Sequence, residues 1–107
     1  MEVSKKDWKL YREKIGEWQE TYMEKLIVQY VDYLNGDAPA STKFWEMEKR
    51  IKRDKKHPGV LIELNKQDMP FDLVRLINLS VITRADLEEF SDELKEMVDF
   101  LKDRMGC

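Results

Sequence analysis

The chain has 107 residues, of which 38% are charged, 42% hydrophobic and 10% aromatic, with four Gly, three Pro and a formal net charge of −3. That length suits one domain, residues 1–107, able to bury a core without metal or disulfide staples, and the composition excludes disordered and fibrous classes. Apolar runs reach only three or four residues, which excludes a bilayer-spanning segment, and the opening Met1 to Lys6 leads into no apolar stretch of the secretory kind. A cytoplasmic protein is expected. Cys107, the single cysteine, has no internal partner and no prenylation context.

The first predicted element is a long amphipathic helix from Val3 to Leu34. Trp8, Tyr11, Ile15, Trp18 and Tyr22 recur at spacings of three, four, three and four, a helical stripe that a strand would scatter over two faces. Ser4 is the expected cap, with Asp7 reaching back to it and Val3 and Trp8 in staple positions. Asn35, Gly36, Asp37 and Pro39 mark the end. About 30 residues rising ~1.5 Å each give a rod of ~46 Å, longer than the ~34 Å diameter of a compact chain of this size. Either the bundle is elongated or one end of this helix projects, and an uncovered aromatic end is a place to look for a partner. The apolar period drifts after Tyr22 and its aromatics are bulky, which favours a bundle core over a two-stranded coiled coil.

A second helix is predicted from Ser41 or Thr42, either of which is a suitable cap, to Lys56, with Phe44, Met47 and Ile51 on its inner face and His57, Pro58 and Gly59 as its stop. Val60 to Leu64 fits a short buried strand or a short helix. No other strand-like run exists to pair with it, so a helix is expected. Asp68 caps a third helix, with Pro70 in its first turn and Phe71, Val74 and Ile77 facing inward beside Leu73 and Leu76. Thr83 and Asp86 form a capping box stapled by Ile82 and Leu87, and Leu87, Phe90, Leu94, Met97, Leu101 and Met105 continue as a stripe to the end of the chain. The predicted fold is therefore all-α, an elongated helical bundle built on one long N-terminal helix with three or four shorter ones.

Charge is unevenly distributed. Residues 1–37 hold six cations against eight carboxylates, residues 38–59 seven against three, residues 60–83 two against three, and residues 84–107 four against eight. Lys49, Arg50, Lys52, Arg53, Lys55 and Lys56 crowd the end of the second helix. They fit weak, salt-sensitive contact with phosphates, or equally a solvated helix end favoured by the dipole and paired with acidic neighbours. Asp86, Glu88, Glu89, Asp92 and Glu93 crowd the start of the last helix. They suit docking on a basic groove, or simply the outer face of an amphipathic helix.

Residues for chemistry are sparse. His57 is the single histidine, read as a helix-end or surface residue, and no Cys or His cluster has metal-ligand spacing. Gly16, Gly36, Gly59 and Gly106 are isolated, so no phosphate-cradling loop is present. A non-enzymatic protein without cofactor or metal is expected. Trp8, Trp18, Tyr11 and Tyr22 are read as core residues, and Tyr30 and Tyr33 as candidates for exposed contacts.

Through Tyr22 to Ser41 (YMEKLIVQYVDYLNGDAPAS), Lys43 to Leu64 (KFWEMEKRIKRDKKHPGVLIEL) and Val81 to Lys95 (VITRADLEEFSDELK), the chain resembles small helical proteins of plasmids and conjugative elements in Gram-positive bacteria. Some of that group carry a multidrug-transporter label, which the absence of a transmembrane segment here contradicts. The neighbourhood includes anti-CRISPR inhibitors of type II-A Cas9. The resemblance implies an interaction protein that binds a larger partner, with a Cas9-type effector the sharpest case. It rests on overall texture and transfers no residue's role. Two alternatives stand beside it: a nucleic-acid-binding regulator using the basic helix, and a structural homodimer subunit.

Overall fold

The computed structural model describes residues 2–105, and among these the chain forms four α-helices and one 3-10 turn, without strands. They are α1 (Lys5–Leu34), α2 (Ala40–Asp54), α3 (Met69–Asn78), the 3-10 turn Arg84–Leu87, and α4 (Asp92–Arg104). Cys107 and Gly106 lie outside the described residues. No helix in the described residues is long and apolar enough to cross a membrane.

α1 begins as its sequence dictates. Ser4 is extended and its Oγ accepts from the Asp7 N–H at 3.0 Å, while Val3 is buried in the staple position. The Asp7 carboxylate, however, does not turn back to Ser4. It crosses to the other end of the chain, where the Ser91 N–H donates to Oδ1 at 3.0 Å and the Ser91 hydroxyl donates to Oδ2. Ser91 in turn caps α4, its Oγ accepting from the Leu94 N–H at 3.2 Å. A carboxylate beside the first turn of a helix is also favoured by the helix dipole.

This junction explains the main departure from the predicted elements. The Thr83–Asp86 capping box forms, with the Thr83 N–H donating to Asp86 Oδ2 at 2.7 Å, but it starts a single 3-10 turn rather than the last helix. The chain then breaks to send both Leu87 and Phe90 into the core, and restarts at Ser91. Asp86, Glu88 and Glu89 therefore precede α4 instead of lying on it. The bidentate pair of Arg84 with Asp99, at 2.7 and 3.1 Å, clips the 3-10 turn to α4.

The core sits against the N-terminal half of α1. Tyr11 and Ile15 meet Leu73, Val74 and Leu76 of α3, Val81 and Ile82 of the link, Leu87 and Phe90, and Leu94 and Val98 of α4. Trp8, Trp18 and Tyr22 pack on its edge, half-buried. In α3, Phe71 is exposed, and Met69 and Asp72 take buried places instead of it. α3 ends in a Schellman pair, with Val81 N–H donating to Leu76 O at 2.9 Å and Ser80 N–H to Ile77 O at 3.1 Å. Ser80 occupies the left-handed position, φ 62°, where glycine is usual. Val60 to Leu64 is neither helix nor strand. Val60 and Leu61 both donate to the His57 carbonyl in a turn, and the chain then runs irregularly to Asn65. Solvent rather than a sheet partner satisfies that backbone, since Leu61, Glu63 and Leu64 are exposed.

Beyond Tyr22 only Leu26 of α1 is buried, and α2 packs antiparallel along this half. α2 begins at Ala40 with Pro39 in the cap position, so Ser41 and Thr42 cap nothing. Its predicted inner face is also wrong. Phe44 and Ile51 are exposed and Met47 half-buried, while Arg50 and Asp54 turn toward α1. The result is elongated, 52 × 28 × 22 Å with a radius of gyration of 16.7 Å, against ~13 Å for a compact chain of this length.

Two stability outcomes follow from these contacts. Ser91→Ala removes a cap and strips Asp7 of a donor, and should cost about 2 kcal/mol, a fall of roughly 10 °C in the midpoint of a thermal melt. Ser80→Gly relieves the left-handed backbone and should raise stability by about 1 kcal/mol in denaturant unfolding.

Candidate interaction surfaces

Three surfaces merit description: the acidic residues flanking the α4 start, the cations of α2, and the junction where α2 meets α1. The five acidic residues of the first group are all exposed, but Asp86 lies in the 3-10 turn, Glu88 and Glu89 in the link after it, and only Asp92 and Glu93 on α4. Asp86 is engaged in its capping box. Glu89 pairs with Lys14 of α1 at 3.0 Å, and Asp92 with Lys95 at 3.3 Å. Lys95 also donates to the Glu88 carbonyl at 3.4 Å, so one lysine holds the turn from Glu88 to Asp92 together. The side chains of Glu88 and Glu93 have no cation partner among the described residues. The arrangement is an acidic crest across the α4 N-terminus, with Lys14 and Lys95 at its borders.

α2 stops at Asp54 rather than at the predicted Lys56, so of the six cations Lys49, Arg50, Lys52 and Arg53 lie on it, Lys55 is its C-cap and Lys56 follows in the turn. Arg50 pairs with Glu46 at 3.0 Å and lies over the Tyr33 ring at 4.2 Å, Lys52 pairs with Glu48 at 3.7 Å, and Arg53 pairs with Asp54 at 2.9 Å. Lys49, Lys55 and Lys56 are exposed without ion pairs among the described residues. Half of the basic cluster is thus already neutralised within its own helix, by residues four apart or adjacent.

Tyr30 and Tyr33 are not free contacts. The Tyr30 hydroxyl donates to the buried Asp54, which also accepts from Arg53 at 2.9 and 3.3 Å. Burial and the bond to Asp54 push the Tyr30 phenol up to about 12. The Arg53 guanidinium, helped by that phenol, holds the Asp54 carboxyl below the usual carboxylate range. The bond from Tyr30 to the buried Asp54, whose charge the exposed Arg53 balances, fastens α2 to α1. Sequence periodicity does not reveal it, because the residues that face α1 are polar.

His57 has a more specific place than a helix end. Its ring stacks on Tyr22 with centroids 4.6 Å apart and planes 8° apart, and its Nδ1 accepts from the Gly59 N–H at 3.0 Å. Gln19 Nε2 donates to the Pro58 carbonyl at 3.0 Å. A Cβ on Gly59 would lie 2.4 Å from the Tyr22 ring, so only glycine permits this close approach. His57, Lys25, Arg53 and Ser80 line a cleft of about 490 Å³. No hydrogen bond joins Ser80 to His57, and the Nδ1 lone pair is committed to Gly59, so the pair is not arranged as nucleophile and base. Among the described residues no group of three or more His, Cys, Asp or Glu is placed to hold a metal ion.

Comparison with family models, curated proteins and solved structures finds no match to this chain.

Burial pushes the His57 imidazole below its ordinary value, and protonating Nδ1 would break the bond from Gly59. The unfolded chain then binds the proton more readily, so this contribution is complete above the ordinary histidine value of ~6.5 and lost as pH falls through the folded value. Melting temperature should decrease on acidification through that window. His57→Phe, which keeps a ring against Tyr22, should flatten that part of the profile.

Proposed function

We propose that this chain is a non-enzymatic interaction protein that binds a larger protein partner through the acidic crest of Glu88, Glu89, Asp92 and Glu93. The specific case we favour is an inhibitor of a Cas9-type effector. Such effectors hold nucleic acid in positively charged channels, and a rigid ridge of carboxylates competes for the same cations. The observation that carries this reading is the crest itself: four exposed carboxylates on adjacent turns, fixed by the Asp7–Ser91 junction and the Arg84–Asp99 clip, with two lysines against them. A preorganised charged surface loses less side-chain and loop entropy on binding than a flexible tail. Asp86 belongs to the scaffold of the crest rather than to its contact surface, because its carboxylate is committed to Thr83.

The second reading is a nucleic-acid-binding regulator on α2. Its support is the unpaired set Lys49, Lys55 and Lys56, since Arg50, Lys52 and Arg53 have carboxylate partners. Three phosphate contacts imply a log–log salt slope of about −3 on duplex DNA.

The two readings separate in one pair of measurements. Added to a purified type II-A effector with its guide, the protein should block target cleavage in a dose-dependent way. Replacing Glu88, Glu89 and Glu93 by Gln and Asp92 by Asn should raise the concentration needed by more than about tenfold, in line with losing several charge contacts. An undiminished block by that variant removes the crest from the contact. Direct binding of RNA or DNA with the salt slope above, abolished by Lys49→Ala, Lys55→Ala and Lys56→Ala together, favours the second reading.

A further inference from the structure

The cleft beside the Tyr22–His57 stack is built from separate parts of the chain. α1 contributes Lys25 and Gln29, four apart and so on one face, the end of α2 contributes Arg53, the turn after it His57, and the residue past the α3 cap Ser80. These groups have donors to spare. The side chains of Lys25, Gln29 and Ser80 make no hydrogen bond or ion pair among the described residues. Arg53 gives Nε and Nη2 to Asp54, which leaves its Nη1 N–H groups unused. His57 adds another donor. Because its Nδ1 accepts from the Gly59 N–H, the neutral ring carries its proton on Nε2.

The acceptors around the cleft are largely taken. Both Asp54 oxygens receive bonds, from Arg53 and from Tyr30. The carbonyls of Ile51, Arg53 and Asp54 at the end of α2, and of Leu76 and Ile77 at the end of α3, already accept backbone N–H groups. The two helix ends therefore present fewer free carbonyls here than helix C-termini ordinarily do. The groups facing the imidazole are Tyr22 and Lys25 of α1, Arg53 and Asp54 of α2, and Arg75 of α3. Arg53 balances Asp54, and Arg75 is paired with Asp72 at 3.7 Å, so Lys25 is the charge left uncompensated.

Unused donors, filled acceptors and one uncompensated lysine select an oxyanion. The cleft volume of about 490 Å³ falls within the ~300–1,000 Å³ of small-molecule sites, and Leu26 and Leu79 give it an apolar wall beside the donors. Ser80 points the same way. It holds a left-handed backbone, φ 62°, where glycine is less strained, and what the strained position adds is a hydroxyl on the cleft wall. We propose that this cleft binds a phosphate group, free or carried on a small molecule, with Lys25, Gln29, Arg53, the His57 Nε2–H and the Ser80 hydroxyl as its donors. The site shares no residue with the acidic crest or with the set Lys49, Lys55 and Lys56, and it stands independently of both readings above.

His57 is the single histidine, so its ring signals in a proton NMR spectrum report on this cleft. Inorganic phosphate added to the full chain at constant ionic strength should displace those signals saturably. It should also move the titration midpoint of the ring upward, since a nearby anion favours the imidazolium. Adenosine monophosphate separates the two sources: binding tighter than that of phosphate assigns a phosphorylated small molecule, and equal binding assigns the free ion. Ser80→Gly, which relieves the backbone, should weaken binding roughly two- to tenfold through loss of a neutral donor, and Lys25→Gln by more than about tenfold through loss of a charged one. Both side chains are exposed, so helical circular dichroism should not change. A displacement that never saturates, or that sodium chloride reproduces, overturns the proposal. So does saturable binding that both substitutions leave unchanged.

Discussion

One mismatch of length governs the molecule: a 30-residue helix rises ~45 Å, and the elements that follow it build the apolar core against only one half of it. α3, the 3-10 turn and α4 collect on the half that carries Tyr11 and Ile15. The other half is left with α2, whose contact with it is polar and rests on Asp54. A core end and a hairpin end follow directly. The first has Leu73, Leu76, Leu87 and Val98 fully buried, each contributing on the order of 1.5–3 kcal/mol. The second depends on a hydrogen-bonded and stacked set, in which a single unpaired group is costly.

The two ends are therefore held by different physics, and they respond to different conditions. At the core end the Asp7 carboxylate joins the first turn of the first helix to the first turn of the last, 84 residues away in the chain. Closing that long loop is entropically expensive, and the two bonds to Ser91 act at the point where the cost is met. At the hairpin end Tyr22, His57 and Gly59 form a layered contact that excludes any side chain larger than glycine. Acid protonation of His57 loosens this layer without touching the hydrophobic core.

How much was legible in the residues divides along the same line. Where apolar periodicity and capping residues agree on α1, the element appears where expected: Ser4 caps it, and its aromatic stripe from Trp8 to Tyr22 meets the core, whereas the Thr83–Asp86 box forms but opens only a 3-10 turn. Where a polar residue faces inward, periodicity misleads. Phe44 and Ile51 were expected inside and lie outside, because Arg50 and Asp54 have partners on α1 that no local pattern announces. The break before α4 was hidden for a related reason. Leu87, Phe90 and Leu94 keep helical spacing, yet Ser91 between them serves a carboxylate from the far end of the chain. The acidic cluster was legible as composition, but not its division among the 3-10 turn, the link and α4.

That inversion of α2 sets the character of the hairpin surface. The apolar pattern of this helix, taken alone, would turn Phe44 and Ile51 toward its neighbour and its charges toward solvent. Here the bond from Tyr30 to the buried Asp54 reverses the choice, at the cost of leaving large apolar side chains in water. Each such side chain gives up on the order of 1.5–3 kcal/mol that burial would return. The Asp54 set then has a second role besides attachment, because it fixes which face of α2 is offered. Removing it would let α2 roll toward its apolar preference and withdraw Phe44 and Ile51 from the surface, so a polar contact inside the hairpin decides which face of α2 meets solvent.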